Sequence, residues 1–158
     1  MTLTKSIFQE LKLFTEPELQ EEIVNHGKVI QAKPGDILIR EGQHLNFLPI
    51  VLHGKIRVYQ EKEDREILLY YVGPEETCVM SLSAAFLDYN SAANGMATQS
   101  TEILVLPAYL IGDWQLKYPS WNKYIVRTFK SRYDELLNSF GNVALRNSRI
   151  LVAVSEPF

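Results

Sequence analysis

Between Lys28 and Leu106 the chain changes character every few residues, and each change falls on a turn former. Val29–Lys33 ends at Pro34-Gly35-Asp36, Ile37–Arg40 at Glu41-Gly42-Gln43, and Phe47–Leu52 at His53-Gly54. Proline fixes φ and glycine supplies positive φ, so these pairs stop an extended segment. Lys55–Tyr59 alternates, with Ile56 and Val58 predicted on one face and Lys55, Arg57 and Tyr59 on the other. The charged run Glu61–Glu66 reads as a hairpin tip before Ile67–Val72, which Gly73-Pro74 breaks, and a last strand is predicted over Thr101–Leu106. Short strands at intervals of about 8–12 residues, punctuated by turns, specify an all-β sandwich or barrel.

Helical spacing frames this block. Ile7, Phe8, Leu11 and Phe14 predict an amphipathic helix over 2–14. Thr15-Glu16-Pro17-Glu18 predicts a second helix, with Thr15 as N-cap and Glu18 completing a capping box, closed by a left-handed Gly27. After Pro107, Tyr109–Tyr118 predicts a short helix ending near Pro119. From Ser120, the expected N-cap, a long helix carries the stripe Ile125, Phe129, Leu136, Phe140 and Val143. About 25 residues at roughly 1.5 Å each extend nearly 40 Å, beyond the reach of one small barrel. A stripe that outruns its own domain seals against a copy of itself, which predicts a homodimer; the alternative is a helix folded back on the barrel. Trp114, Tyr118, Trp121 and Tyr124 cluster around Pro119, as core packing or as a hinge.

Composition narrows the function classes. With 158 residues, 46% hydrophobic and 22% charged, the chain fits one globular domain that needs no staples. The single Cys78 excludes an internal disulfide framework, a cysteine zinc ribbon and a four-cysteine cluster. No apolar run reaches the roughly 18 residues of a membrane span, and the N-terminus lacks a signal-peptide stretch, so a cytoplasmic protein without membrane contact is expected. Net charge is −6 over residues 1–120 and +3 over 121–158. That basic tail is too weak to be a DNA-binding face by itself.

The series Pro34-Gly35-Asp36, Glu41-Gly42 and Gly54-Lys55-Ile56-Arg57-Val58-Tyr59 resembles, in order and spacing, the effector domain of cyclic-AMP-receptor/FNR-type (Crp/Fnr) bacterial transcription regulators. Leu13-Phe14 with Glu18-Leu19, the Thr101-Glu102-Ile103 strand and the long helix match as well, so the likeness covers residues 5 to about 150. It implies a mainly β fold with flanking helices: a double-stranded β-helix (jelly-roll) barrel, N-terminal helices and a long C-terminal dimerisation helix. The implied division is a cyclic-nucleotide-binding-like sensor over 1–118, a dimerisation helix over 119–146, and over 147–158 the opening of a helix-turn-helix module otherwise missing. DNA contact is then expected only through that module.

The resemblance also shows a departure. Cyclic-nucleotide binders of this fold cradle the phosphate with a Gly-Glu pair and, further on, an Arg-Ser or Arg-Thr pair; the cation neutralises the phosphate. Here Cys78-Val79 stands near the first pair and Asn90-Ser91 near the second, and from Glu76 to Glu102 there is no Lys or Arg. The long-helix Thr-Ser pair that reaches the base is replaced by Leu136-Leu137. Cyclic nucleotide is therefore not the expected ligand. Thr77, Cys78, Met80, Ser81, Ser83, Asn90, Ser91 and Asn94, with Leu136 and Leu137, remain candidates to line a pocket for an unidentified small-molecule effector. The same residues could equally fill the space themselves.

Other chemistries find little support. Cys78 has no Lys, Arg or His beside it to acidify its thiol, and reads as a buried structural cysteine. His26, His44 and His53 form no metal-ligand pair and read as surface turn residues, so the His-x-His set of a cupin-type metalloenzyme is absent. No nucleophile elbow, phosphate loop or paired-carboxylate arrangement appears, so no catalytic residue, metal or cofactor is expected. The expected function is the signal-sensing and dimerisation domain of such a regulator. The competing class is a standalone protein-interaction module, ligand-free or binding a small molecule.

Overall fold

A computed structural model describes residues 12–146 and arranges seven strands in two antiparallel sheets. The strands are β1 (Lys28–Ala32), β2 (Ile37–Ile39), β3 (Phe47–His53), β4 (Ile56–Lys62), β5 (Arg65–Val72), β6 (Asn94–Ala97) and β7 (Thr101–Pro107). One sheet runs β1-β7-β3 and the other β2-β6-β4-β5. The helices are α1 (Pro17–His26), α2 (Val79–Leu87), α3 (Ile111–Lys117) and α4 (Pro119–Arg146), with a 3-10 turn at Ala108–Leu110. This is the mainly β jelly-roll with flanking helices that the resemblance implies, and it meets the coarser expectation of a β sandwich or barrel drawn from the turns. Residues 2–11 of the expected N-terminal helix and the expected module opening at 147–158 lie outside the described residues, and Lys12–Phe14 are not helical.

The glycine turns work as their chemistry requires. Gly35 and Gly42 take φ of +89° and +87°, and Gly54 takes +101°. Gly54 is the most constrained, because a Cβ there would lie 2.7 Å from the Ser100 carbonyl oxygen. Glu63 and Asp64, at φ of +51° and +60°, close the β4–β5 hairpin as a two-residue loop between Lys62 and Arg65. Two positive φ values match the twist of the flanking strands.

Two cores share the sheet that contains β3. Val51, Ile56, Val58, Val72, Cys78, Ala93, Ala97 and Ile103 pack between the sheets. On its other face, Leu48, Ile50, Leu52, Leu104 and Leu106 meet Phe14, Leu19 and Ile23 and the aromatic group Trp114, Tyr118, Trp121 and Tyr124. Burial on both faces explains why β3 reads as continuous apolar sequence instead of alternating. Trp114 and Trp121 meet edge to face at 5.1 Å between ring centroids, so the aromatic group at Pro119 is core packing.

Several local expectations are corrected. Helix α1 has Glu16 at its N-cap with no side-chain cap, and Gly27 is extended at φ −79°, because the chain passes directly into β1 instead of curling back. Ser120 lies inside the first turn of α4, where Glu16 takes up its N–H and hydroxyl. Tyr59 shares a face with Arg57, as the alternation predicts, but is buried there, with the Arg57 guanidinium carbon 4.6 Å from its ring centroid. The segment after Cys78, whose small polar residues predict a loop, forms α2.

Candidate functional site

Five of the pocket candidates come together because they open α2. Thr77 is buried and its hydroxyl donates to the Pro49 carbonyl at 2.5 Å, which ties the helix entrance to β3. Cys78 is the N-cap residue, 5% exposed, and packs between the two sheets with Met80 beside it. Ser81 is fully buried with no partner for its hydroxyl, and Ser83 spends its own on the Val79 carbonyl at 2.8 Å. A buried, unpaired hydroxyl is costly unless something polar meets it.

Other candidates are placed elsewhere. Ser91 is buried and folds back on its own turn, its hydroxyl donating to the Ala93 carbonyl at 2.8 Å, while its backbone pairs with Gly42 and Gln43. Asn90 is exposed and bridges to His44. The Asn94 side chain accepts the Glu41 N–H at 2.8 Å. Leu136 and Leu137 stand exposed on the far half of α4 and meet no part of this barrel's core.

Tyr70, Glu76 and Arg132 form the centre of the region, and no sequence motif marks them. The Tyr70 hydroxyl lies 3.2 Å from Cys78 Sγ and accepts the Met80 N–H at 3.2 Å. It therefore occupies one of the N–H groups that the start of α2 offers to an anion. Burial first, and then the neighbouring Cys78, push the Tyr70 phenol well above its ordinary range, so it stays protonated. Arg132 of α4 stacks on the other side of this contact, its guanidinium carbon 4.2 Å from the Tyr70 ring centroid. The same guanidinium donates to the Tyr71 carbonyl at 3.0 Å, to Glu76 Oε2 at 2.8 Å and to both Glu135 oxygens at 3.0 and 2.9 Å. Its side chain is 11% exposed.

Tyr124 makes a second link from α4, donating to the Glu75 carbonyl at 3.0 Å. Between these two anchors runs a cleft of about 220 Å³, lined by Pro74, Glu75, Thr77, Tyr124, Thr128 and Arg132 among others. The chemistry on offer is positional: hydrogen bonds and a stacked cation fix α4 to the β5–α2 connection. Among the described residues no three His, Cys, Asp or Glu side chains gather as a metal set. His26, His44 and His53 are exposed, and His44 Nε2 lies 3.5 Å from Asp88. Among the described residues no helix is long and apolar enough to cross a membrane.

Comparison with known proteins gives a family match over residues 29–111, just over half of the chain, to the cyclic nucleotide-binding domain. No curated protein matches the sequence. Among solved structures, a mutant of CooA from Carboxydothermus hydrogenoformans superposes with a TM-score of 0.69 at 17% identity, covering 97% of both chains. A protein described as a crp/fnr-family transcriptional regulator, from Eubacterium rectale, reaches 0.72 at 17% identity over 86% of this chain and 66% of its own. The catabolite activator protein of Thermus thermophilus reaches 0.64 at 19% identity, over 87% of this chain and 62% of its own. The chain thus spans less than two thirds of the length of these last two proteins, and what is shared with all three is the fold.

Proposed function

The chain belongs to the cyclic nucleotide-binding domain family, and on that premise we propose that it is the signal-sensing and dimerisation domain of a Crp/Fnr-type regulator whose barrel takes no cyclic nucleotide. The observation that carries this reading is electrostatic. From Glu76 to Glu102 the chain has no Lys or Arg, and Tyr70 already holds the Met80 N–H at the start of α2. A cyclic phosphate placed there would lose its hydration with no cation to replace it.

The role is regulatory, not enzymatic. Residues 1–118 act as the sensor, 119–146 as the dimerisation helix, and the chain from 147 as the entry to a DNA-reading module through which any DNA contact is made. The buried, unpaired Ser81 hydroxyl beside Cys78 and Met80 supports a small, weakly polar effector as the signal. Its arrival would shift populations of α4 packing, because a ligand moves an equilibrium only by its differential affinity for the two states. Val126, Phe129, Tyr133, Leu136, Phe140 and Val143 are all exposed on α4 and alternate at spacings of three and four, the pattern of a two-helix seam. Ile125 instead packs against the core of its own protomer.

Calorimetric titration of the full chain with cyclic AMP and cyclic GMP tests the central claim. No saturable heat at millimolar nucleotide is expected. Micromolar binding of either one would overturn it.

A further inference from the structure

The contacts of Arg132 add to the Tyr124–Glu75 bond a second link between α4 and the β5–α2 connection. On one side it is bound to α4 through Glu135, and on the other to β5 and the α2 entrance through Tyr71, Glu76 and the Tyr70 ring. Tyr70 then passes directly to Cys78 and Met80, which form part of the barrel interior. Four acceptors and an aromatic face thus hold one guanidinium, and only a planar, five-donor group can satisfy them together.

We propose that Arg132 is a latch that couples the barrel-facing start of α2 to α4, acting through the Tyr70 ring and hydroxyl. This rests on the reading of α4 as the helix that carries the signal. Arg132 is a positioning residue: it touches neither Cys78 nor the barrel interior. With the latch closed, the N-cap of α2 and the middle of α4 move as one body. Displacement of Cys78 or Met80 by anything entering the barrel breaks the Tyr70 contacts first, and the stacked guanidinium next.

The single cysteine supplies a direct readout. Cys78 is buried, so its alkylation by N-ethylmaleimide in the native full-length chain reports how often the start of α2 opens. Arg132→Gln is expected to raise that rate at least tenfold, while Lys130→Gln, which removes an exposed pair with Asp134 on the same helix, leaves it within twofold. Tyr70→Phe also raises the rate, and combining it with Arg132→Gln adds little, because both cut the same chain of contacts. Arg132→Lys, which keeps the charge and loses the planar fork, serves if the glutamine variant does not fold; it too is expected to exceed the Lys130→Gln rate.

A rate at the Lys130→Gln level would overturn the latch. So would multiplying effects in the double variant, or a rise that only tracks the globally unfolded fraction measured in urea. Sedimentation of the same samples reads the dimer separately, so a failed latch and a failed dimer are distinguishable.

Discussion

The Glu16 carboxylate receives the Ser120 backbone N–H at 2.9 Å and also takes the Ser120 hydroxyl, across 104 positions of chain. The first turn of the long helix is therefore capped from the residue that precedes α1. An acidic group at a helix N-terminus satisfies an orphan donor and meets the positive end of the helix dipole. The same contact fixes α4 against α1, so the direction in which the helix leaves the barrel depends on it.

Acid should weaken the protein through this contact. Burial pushes the Glu16 carboxyl up, but the hydrogen bonds from the Ser120 side chain and backbone and from its own N–H together hold it below its ordinary value of 4.5. A depressed carboxyl contributes stability that is present above the unfolded value and is lost as pH falls through the folded one. Glu16→Gln should flatten the decline of the urea midpoint below about pH 4.5. Glu16→Ala should cost about 0.5–2 kcal/mol at neutral pH. Equal acid slopes in wild type and Glu16→Gln would remove the cap.

Two glycines should respond to alanine with opposite sign. Gly54 sits at φ +101° with no room for a Cβ beside Ser100 and Thr101, so Gly54→Ala combines backbone strain with a clash. The strain alone is worth about 1–3 kcal/mol. Gly112 lies in α3 with open space around it, and Gly112→Ala should stabilise by about 0.5–1 kcal/mol. Chemical denaturation of the two variants decides this, and a neutral Gly54→Ala would contradict the turn geometry.

The strands, their turns and the long helix were legible because each is encoded locally. Pro34-Gly35 and His53-Gly54 stop strands whatever lies across the sheet, and a 28-residue helix repeats its apolar signal many times. What escaped depends on distant partners. Glu16 as the cap of α4 is a contact across 104 residues, and the Tyr70–Arg132 stack joins a strand to a helix about sixty residues later. Helix α2 escaped because Ser81 and Ser83, with Thr77 and Cys78 before it, carry weak helix propensity; burial of Leu82 and Ala84 in the core holds it. The phase of the α4 stripe escaped in one place, since Ile125 and Val126 are both apolar and only the barrel decides which turns inward.

Alkali should also be destabilising, through buried phenols. Burial, with the Glu76 and Glu75 carboxylates nearby, holds the Tyr124 hydroxyl above its ordinary range, and Tyr118 is raised by burial and by Glu22. A raised phenol keeps its proton in the folded chain while the unfolded chain releases it, so stability falls as pH rises above about 10. Tyr124→Phe should make that fall shallower by up to one proton. It should also cost about 1–3 kcal/mol at neutral pH, because the Glu75 carbonyl loses its donor. Urea midpoints between pH 8 and 11 test both; a slope unchanged from wild type would place Tyr124 in contact with water.

The apolar face of α4 should be the surface on which a second copy docks. A 28-residue helix extends about 42 Å, and beyond Ile125 its large apolar residues face outward, with Leu136 66% exposed and Phe140 51%. Fold-back on the barrel would have buried these side chains; instead Arg132 and Ile125 mark where contact with the protomer's own core region is made on one side of the helix. Phe140→Asp places a charge in the seam, where burial without a partner costs several kcal/mol. It should convert a dimer to monomers in sedimentation at micromolar concentration. Ile125→Ala should instead lower the unfolding midpoint of the protomer and leave the dimer constant nearly unchanged. A Phe140→Asp chain that sediments as wild type would remove the helix from the interface, and an Ile125→Ala chain that dissociates would move the seam by one residue.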